Sequence, residues 1–180
     1  MIRPAQSADA PTMVAIYAPY VEETTVTFEY SPPDSAEMAK RLEDYSRRFP
    51  WLVYEEAGEI LGYAYASPPF SRPAYAWCAE PSIYLRRDAR GRGIGRQLYQ
   101  ALEDILTRQG YQVLYAIITG ENQPSVAFHS RMGYQKLAVF PNCAYKFGRS
   151  LSVVWMEKRL KPVEIPRNFP TPWKELVQNT

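Results

Sequence analysis

The sequence predicts an α+β fold in a single globular domain, on three observations. The 180 residues are 46% hydrophobic and 14% aromatic, which is enough for one sizeable core. Short runs rich in β-branched and aromatic residues are interleaved with segments whose apolar residues recur at helical spacing. In mid-chain, the stretch "DARGRGIGRQLYQALEDIL" joins a predicted strand to an amphipathic helix through a glycine-rich loop. One domain of mixed strands and helices therefore accounts for most of the chain.

The first 46 residues predict a short strand and two helices. Ile2–Pro4 is the strand. Asp9 followed by Pro11 is typical of a capped helix start, and Ser35 is expected to cap the second helix. The β-branched run at residues 24–30 predicts a loop or extended segment between the two helices. Their apolar faces are predicted to be Met13, Ile16, Tyr17 and Tyr20 in the first helix, and Met38, Leu42 and Tyr45 in the second.

The rest of the chain predicts further strands and two more helices. The helix after the glycine loop is expected to stop near Gly110, and a helix at Pro124–Arg131 is expected to stop at Gly133. The tail at residues 161–180 is rich in proline and polar residues, so we predict a folded domain at residues 1–160 and a loosely packed tail. The strands are predicted at Trp51–Glu56 and Ile60–Ala66 (a hairpin around Ala57-Gly58), Tyr75–Leu85, Val113–Ile118, Leu137–Phe140 and Leu151–Met156.

Composition argues against several classes of partner. A formal net charge of +2 does not indicate nucleic-acid binding. Two cysteines, Cys78 and Cys143, and a single histidine favour neither a disulfide framework nor a metal site. No apolar run approaches the roughly 20 residues that span a bilayer, and the N-terminus does not resemble a signal peptide. We therefore expect a cytoplasmic protein without a metal, a membrane or a nucleic acid as partner.

The glycine loop has two familiar interpretations that its spacing does not support. No Lys-Ser/Thr pair follows Gly95, as a P-loop requires, and Arg96 stands where a dinucleotide fingerprint needs its last glycine. Free backbone N–H groups at a helix N-terminus, flanked by the cations Arg90, Arg92 and Arg96, still predict a pyrophosphate site. A flexible Arg-rich connector is the alternative.

The spacing Arg90-x-x-Gly93-x-Gly95 after a strand resembles the R/Q-x-x-G-x-G/A loop of the GNAT superfamily of N-acetyltransferases. The stretches "TTVTFEY", "PWLVYEEAGEILGYAYASP", "AYAWCAEPSIYL", "ENQPSVAFHSRMGY" and "YKFGRSLSVVWMEKRL" resemble its phosphinothricin and methionine sulfoximine/sulfone branch, in the same order along residues 2–160. The resemblance implies a single acyltransferase domain and a homodimer. Its mixed, mostly antiparallel sheet would splay at the cofactor cleft, between the strands at Tyr75–Leu85 and Val113–Ile118.

The resemblance also implies acetyl-CoA as co-substrate. The backbone of Ile83, Tyr84 and Leu85 would bind the pantetheine arm. Asn122 matches a residue that meets the cofactor, although on its own it is equally a helix N-cap. The diphosphate would be held by the backbone amides of Gly91, Arg92, Gly93, Ile94, Gly95 and Arg96, aided by the helix dipole.

Two residues are candidates for catalysis. Glu80 lies in an otherwise apolar strand, where a carboxylate is costly unless it has a task, and burial would raise its pKa and suit it to act as a base. A structural salt bridge is the alternative for Glu80. Pro81 lacks a ladder N–H and is compatible with a splayed strand. His129 matches the branch's histidine and would act as acid or relay toward the thiolate, or be a packed residue.

The substrate site is inferred from the same resemblance. Arg72 would bind a substrate carboxylate, and Phe28 and Tyr75 would line the cavity. A solvated loop charge is the alternative for Arg72. The turn at Lys146–Gly148 would lie near this pocket or at a dimer contact.

The predicted function is acetyl-CoA-dependent acetylation of the α-amine of a small amino-acid-like substrate, by direct transfer in a ternary complex. Phosphinothricin, methionine sulfoximine and methionine sulfone are the implied substrate type. The alternatives are acetylation of a protein, peptide or other amine, and a non-catalytic acyl-CoA-binding domain.

Overall fold

A computed structural model describes residues 1–162 and 164–178. These residues contain seven strands and five α-helices, which confirms the predicted α+β class. The strands are β1 (Ile2–Pro4), β2 (Trp51–Glu56), β3 (Glu59–Ser67), β4 (Cys78–Leu85), β5 (Val113–Thr119), β6 (Gln135–Lys146) and β7 (Arg149–Arg159). The helices are α1 (Ala10–Glu23), α2 (Ser35–Ser46), α3 (Ile94–Gln109), α4 (Gln123–Arg131) and α5 (Trp173–Gln178).

The sheet has the order β1-β2-β3-β4-β5-β7-β6, and only the β4–β5 pair is parallel. β4 and β5 are paired only at Cys78–Val113 and Ala79–Leu114. Beyond these two positions the strands diverge, so the predicted splay is confirmed.

The two faces of the sheet are covered by different helices. α1 and α2 bury Met13, Ile16 and Leu42 against β2 and β3. α3 packs on the opposite face, where the side chains of Leu98, Leu102 and Leu106 are fully buried. Truncating one such leucine to alanine typically costs about 2–5 kcal/mol, so these helices are fixed mainly by packing. In α2 (residues 35–46) and in α3, the buried face is the one that the apolar spacing predicts.

Asp9 occupies the predicted N-cap position of α1 but its side chain makes no capping hydrogen bond, and the predicted Ser35 cap of α2 is wrong. The carboxylate of Asp9 accepts from the backbone N–H of Gln6 at 2.8 Å and pairs with Arg3, so it fixes the preceding turn rather than α1. α2 is capped by Asp34, whose carboxylate accepts from the N–H of Glu37 at 2.8 Å, and Ser35 is the first helical residue. A carboxylate one residue earlier reaches the free N–H groups that Ser35 cannot reach from inside the helix.

Three predicted strands differ from the structure by two or more residues at one end or both. Tyr75 lies in the short 3₁₀ turn Pro73–Tyr75, because Pro73 fixes the backbone for a turn, and β4 begins only at Cys78. β6 and β7 are longer than predicted and form an extended hairpin. β6 contains both polar and apolar residues, and its pairing with β7 shifts register at two points.

The predicted loose packing describes only part of the tail, because Ile165 is 93% exposed whereas the end of the described tail packs on the core. Trp173 and Leu176 pack against the main core, and the N–H of Thr171 donates to the carbonyl of Gln109 at 2.8 Å. The proposed boundary at residue 160 stays a prediction. None of the helices in the described ranges combines the length and apolarity needed to cross a membrane.

Candidate active site

The β4–β5 split opens into a cleft of about 880 Å³, bounded by the glycine loop, α3 and α4. This volume is typical of a small-molecule site. Ten of the predicted site residues line it together: Glu80, Ile83, Tyr84, Leu85, Gly91, Gly93, Gly95, Arg96, Asn122 and His129. The side chains of five others lie elsewhere: Arg92, Ile94, Phe28, Arg72 and Tyr75.

The glycine loop is shaped for close approach to its backbone. Gly91 and Gly93 have φ values of +75° and +80°, and Gly93 is the N-cap of α3. A Cβ atom built on either glycine meets nothing within 4 Å, so this side of the loop faces open space. A Cβ on Gly95 would instead contact Ile83 and Leu85 at 3.5 Å, because here the helix packs tightly on the strand. The loop therefore presents bare backbone N–H groups at the positive end of a 16-residue helix.

The arginines around the loop point in different directions. Arg90 lies over the ring of Tyr20, 5.0 Å from its centroid, and Arg96 lines the cleft. The Arg92 side chain turns away and pairs with Glu56 at 2.6 Å. Arg90 and Arg96 are thus the loop cations that border the cleft, whereas Arg92 can face it only through its backbone N–H.

The free edge of β4 is the second wall of the cleft. The N–H of Ala66 donates to the carbonyl of Pro50, away from β4, and Ala66 stands opposite Pro81. The N–H that Pro81 lacks would therefore have faced the split, so the proline removes no bond from the β3–β4 ladder. Further along, the hydroxyl of Tyr20 donates to the carbonyl of Leu85 at 2.6 Å.

Glu80 stands at the point where the split begins. It is the first residue of β4 beyond the two paired positions, and its carboxylate has no hydrogen-bond or ion-pair partner in the described part of the chain. Burial raises the pKa of Glu80 to about 7. The described residues therefore do not support a structural salt bridge as the role of Glu80. With this pKa, its carboxylate can exchange a proton near neutral pH.

His129 is buried and held from both sides of its ring. Nδ1 lies 2.8 Å from the carbonyl of Ser125, which can only accept, so Nδ1 carries the proton. Nε2 is then free to accept from the hydroxyl of Tyr99 at 2.8 Å, and that hydroxyl also lies 3.2 Å from the carbonyl of Pro81. Burial lowers the pKa of His129, which keeps the imidazole neutral at pH 7.

Asn122 combines the two roles considered for it. Its side chain accepts from the N–H of Ser125 at 3.2 Å and caps α4, and the same residue lines the cleft.

One predicted substrate residue, Tyr75, belongs to an aromatic cluster on the side of the sheet to which Glu80 points. Ala79 and Leu114 belong to the core under α3, so Glu80 and Tyr115, one residue further on each strand, face the opposite side. There Tyr75 packs against Phe70 with ring centroids 4.5 Å apart, and Phe70 in turn contacts Tyr115. Arg72 and Tyr75 are exposed in this loop, and Phe28 is exposed in the segment between α1 and α2.

The segment carrying Phe28 is fastened by the tip of the β6–β7 hairpin. Lys146 is buried, and its Nζ donates to the carbonyl of Thr27 at 2.8 Å, while the Tyr30 hydroxyl donates to the carbonyl of Tyr145 at 2.7 Å. The turn at Lys146–Gly148 therefore packs on the segment next to Phe28.

The cleft-lining residues that were not predicted include Tyr20, Tyr99 and Arg131. The helical spacing of Tyr20 and Tyr99 marks them as core residues, and no local signal shows that their hydroxyls reach the cleft. The described residues contain no cluster of three or more His, Cys, Asp or Glu side chains that could hold a metal ion. The expectation that no metal takes part stays a prediction.

Comparison with known proteins identifies relatives of the whole domain. The Acetyltransferase (GNAT) domain family matches residues 2–155. Phosphinothricin N-acetyltransferase from Streptomyces coelicolor is 36% identical over 163 residues, covering 88% of this chain and 95% of the relative. L-methionine sulfoximine/L-methionine sulfone acetyltransferase from Pseudomonas aeruginosa is also 36% identical over 163 residues, covering 89% and 95%.

A solved structure shares the architecture. It is a GNAT superfamily phosphinothricin acetyltransferase from Sinorhizobium meliloti in complex with acetyl-CoA, with a TM-score of 0.85 at 35% identity, covering 91% of this chain and 93% of that one. The split sheet, the glycine loop and the family match agree. The chain belongs to the GNAT family of acetyltransferases.

Proposed function

We propose that this enzyme transfers the acetyl group of acetyl-CoA to the α-amine of a small amino-acid-like substrate, directly and within a ternary complex. The observation that carries the proposal is the position of Glu80. A carboxylate with a pKa raised to about 7 stands where the β4–β5 split begins, at the inner end of a cleft whose outer end is a diphosphate-type loop.

The residues around the cleft fit acetyl-CoA. The amides from Gly91 to Arg96 would bind the diphosphate, because the positive φ values and the open space beside Gly91 and Gly93 allow close approach. The unpaired edge of β4 at Ile83–Leu85 would bind the amides of the pantetheine arm. When bound, the co-substrate supplies an activated acetyl thioester.

Glu80 would prepare the amine. An α-ammonium group is not nucleophilic, so the base must accept its proton before transfer. The pKa of Glu80, raised by burial, suits this exchange, and the absence of an ion-pair partner within the described residues leaves the carboxylate free to accept.

His129 and Tyr99 would act as one unit on the opposite side. The neutral imidazole accepts from the Tyr99 hydroxyl, and this hydroxyl lines the cleft beside Pro81. In this arrangement His129 orients Tyr99 and can act as a relay, because its own ring proton is directed at the carbonyl of Ser125.

Arg72, Phe28 and Tyr75 would form the amine pocket. The guanidinium of Arg72 would bind the substrate carboxylate, and the two aromatic rings would cover an apolar stem. The relatives named for phosphinothricin and for methionine sulfoximine and sulfone suggest a compact amino acid with a polar, tetrahedral side-chain head. A pocket that pairs such oxygens discriminates against methionine, whose thioether leaves those donors unpaired.

The test is release of free thiol from acetyl-CoA with a panel of amines. We expect kcat/KM for methionine sulfone or phosphinothricin to exceed that for methionine, or for a lysine-bearing peptide, by about 100-fold. Arg72→Ala should raise KM for the amine and leave KM for acetyl-CoA unchanged. Arg108→Ala, an exposed arginine on α3, is the matched control.

Three outcomes would contradict the proposed function. Equal kcat/KM for methionine and its sulfone would remove the polar-head pocket. A preference for the peptide would instead favour acetylation of a protein, and binding of acetyl-CoA without thiol release on any amine would favour a non-catalytic domain.

We further propose a cytoplasmic homodimer. Both cysteines are unpaired, as expected in a reducing compartment. β6 is an edge strand with exposed apolar side chains, which a second copy would cover: Leu137, Val139, Phe140 and Tyr145.

A further inference from the structure

Within the described residues, the C-terminal tail contacts the short β4–β5 pairing that joins the two parts of the sheet. Gln112 and Val113, at the start of β5, both direct their backbone N–H groups to the carbonyl of Trp77, at 2.9 and 3.4 Å. Two residue pairs of the β4–β5 ladder follow, and Glu80 comes immediately after them. A displacement at Trp77 would therefore be transmitted over three residues to Glu80.

The side chain of Trp77 is held by the tail. Its Nε1 donates to the carbonyl of Asn168 at 2.9 Å, and its ring stacks on Phe169 with centroids 5.0 Å apart and an interplanar angle of 15°. Aromatic stacking of this kind adds about 0.5–1.5 kcal/mol beyond area burial.

The tail is itself fastened to the segments around this point. Gln109, buried at the end of α3, exchanges two hydrogen bonds with the backbone of Thr171, at 2.7 and 2.8 Å. The same side chain donates to the carbonyl of Arg48, and the N–H of Trp173 donates to that carbonyl at 3.1 Å. Arg48 in turn donates to the carbonyl of Ala76, the residue before Trp77.

We propose that residues 168–173 form a clamp that holds the closed end of the β4–β5 split, and that Phe169 is a positioning residue for Glu80. The GNAT family match ends at residue 155, so this clamp lies outside the matched domain. A ligand bound between β4 and β5 would tend to separate the strands, which only two residue pairs hold together. A clamp at this point would resist that separation. The role of Phe169 in positioning Glu80 rests on the proposed function. The role of the clamp in holding β4 and β5 together does not.

The test uses the full chain with Phe169→Ala. Phe169 is 68% exposed, so its loss should not unfold the core. Phe169→Tyr keeps the stacking ring and should rescue the effect. Ile165→Ala, at a tail residue that is 93% exposed, is the matched control.

In Phe169→Ala we expect amide hydrogen exchange at Val113 to quicken by about tenfold, with exchange at Val53 of β2 unchanged. We also expect kcat for the best amine to fall about fivefold, with KM for acetyl-CoA within twofold of the parent. Phe169→Tyr and Ile165→Ala should match the parent in amide exchange, in kcat and in KM for acetyl-CoA.

Parent-like exchange at Val113 in Phe169→Ala would overturn the clamp, and so would equal acceleration at Val113 and Val53, which indicates general destabilisation. Faster exchange at Val113 with unchanged kcat would overturn the positioning of Glu80. Because the exchange measurement needs no substrate, it tests the clamp even if no amine in the panel is acetylated.

Discussion

Glu80 determines how the rate should depend on pH. Burial raises its pKa to about 7, and in the proposed mechanism the basic form is the active one. We therefore expect kcat/KM to rise with pH up to about 7 and then to level off. Glu80→Gln should lower kcat/KM by about 10²–10⁴-fold and abolish this dependence. Glu59→Gln, an exposed carboxylate, is the control, and a Glu80→Gln rate within a few-fold of the parent would make Glu80 structural.

The same carboxylate should affect stability in the opposite sense. The ordinary pKa of glutamate is 4.5, so between pH 4.5 and about 7 the folded state holds a proton that the unfolded state releases. The free energy of unfolding therefore falls as pH rises through this window. We expect Glu80→Gln to be more stable than the parent at pH 8 and close to it at pH 4.5, measured by urea unfolding. Equal pH profiles for both proteins would contradict the buried, unpaired state of the carboxylate.

His129 should matter for kcat but not for the pH profile. Because burial lowers its pKa, the imidazole stays neutral where Glu80 titrates. His129→Phe should reduce kcat by about tenfold, less than the loss typical of a general base. The rise in rate up to about pH 7 should persist in this variant. Disappearance of that rise would transfer the titration from Glu80 to His129.

Some features of individual side chains could be predicted from the sequence and others could not. The carboxylate in an apolar strand and the glycine spacing, together with the family resemblance, predicted Glu80 and the loop as parts of one site, and both line the same cleft. The tautomer of His129 was not predictable, since it depends on a carbonyl of α4 and a hydroxyl of α3. The orientation of Arg92 depends likewise on Glu56, which lies 36 residues away in sequence.

At the scale of elements, the glycine loop offers a matched pair of variants. Gly93 and Gly58 both have φ near +80°, and a Cβ on either meets nothing within 4 Å. Gly93→Val and Gly58→Val should therefore suffer similar backbone strain. Only Gly93→Val places a side chain where the diphosphate must approach, so we expect a loss of acetyl-CoA affinity of at least tenfold by calorimetry in this variant alone. Equal losses in both variants would point to strain rather than to contact.

Elements defined by local pattern were predicted well, and those defined by distant contacts were not. α3 follows its apolar stripe from the loop to Gly110, and the β2–β3 hairpin follows its turn. The tail contains proline and polar residues but packs through Phe169, whose partner Trp77 lies just before β4, and Trp173, whose N–H bonds to Arg48 in the α2–β2 connection. Composition alone does not reveal such partners.

At the scale of the whole molecule, the exposed edge strand β6 should determine the oligomeric state. Light scattering should give about twice the 20.7 kDa chain mass. Phe140→Lys, at an exposed position of β6, should shift the protein toward the monomer by placing a charge on the apolar edge. Lys136→Glu, at a polar exposed position of the same strand, is the control. A monomeric parent would contradict the proposed dimer.

The narrow join between β4 and β5 has a consequence for how the chain is made. Residues 2–85 build strands β1 to β4, residues 113–159 build β5 to β7, and the core under α1 and α2 draws its buried residues from positions 10–63. Each half of the sheet is thus contiguous in sequence, and contacts that are local in sequence form early. We expect the first half to gather around its own core while the second is still being translated. Residues 168–173 follow β7 in the chain, so they leave the ribosome after all seven strands, and until then the two halves of the sheet are not secured to each other by the tail.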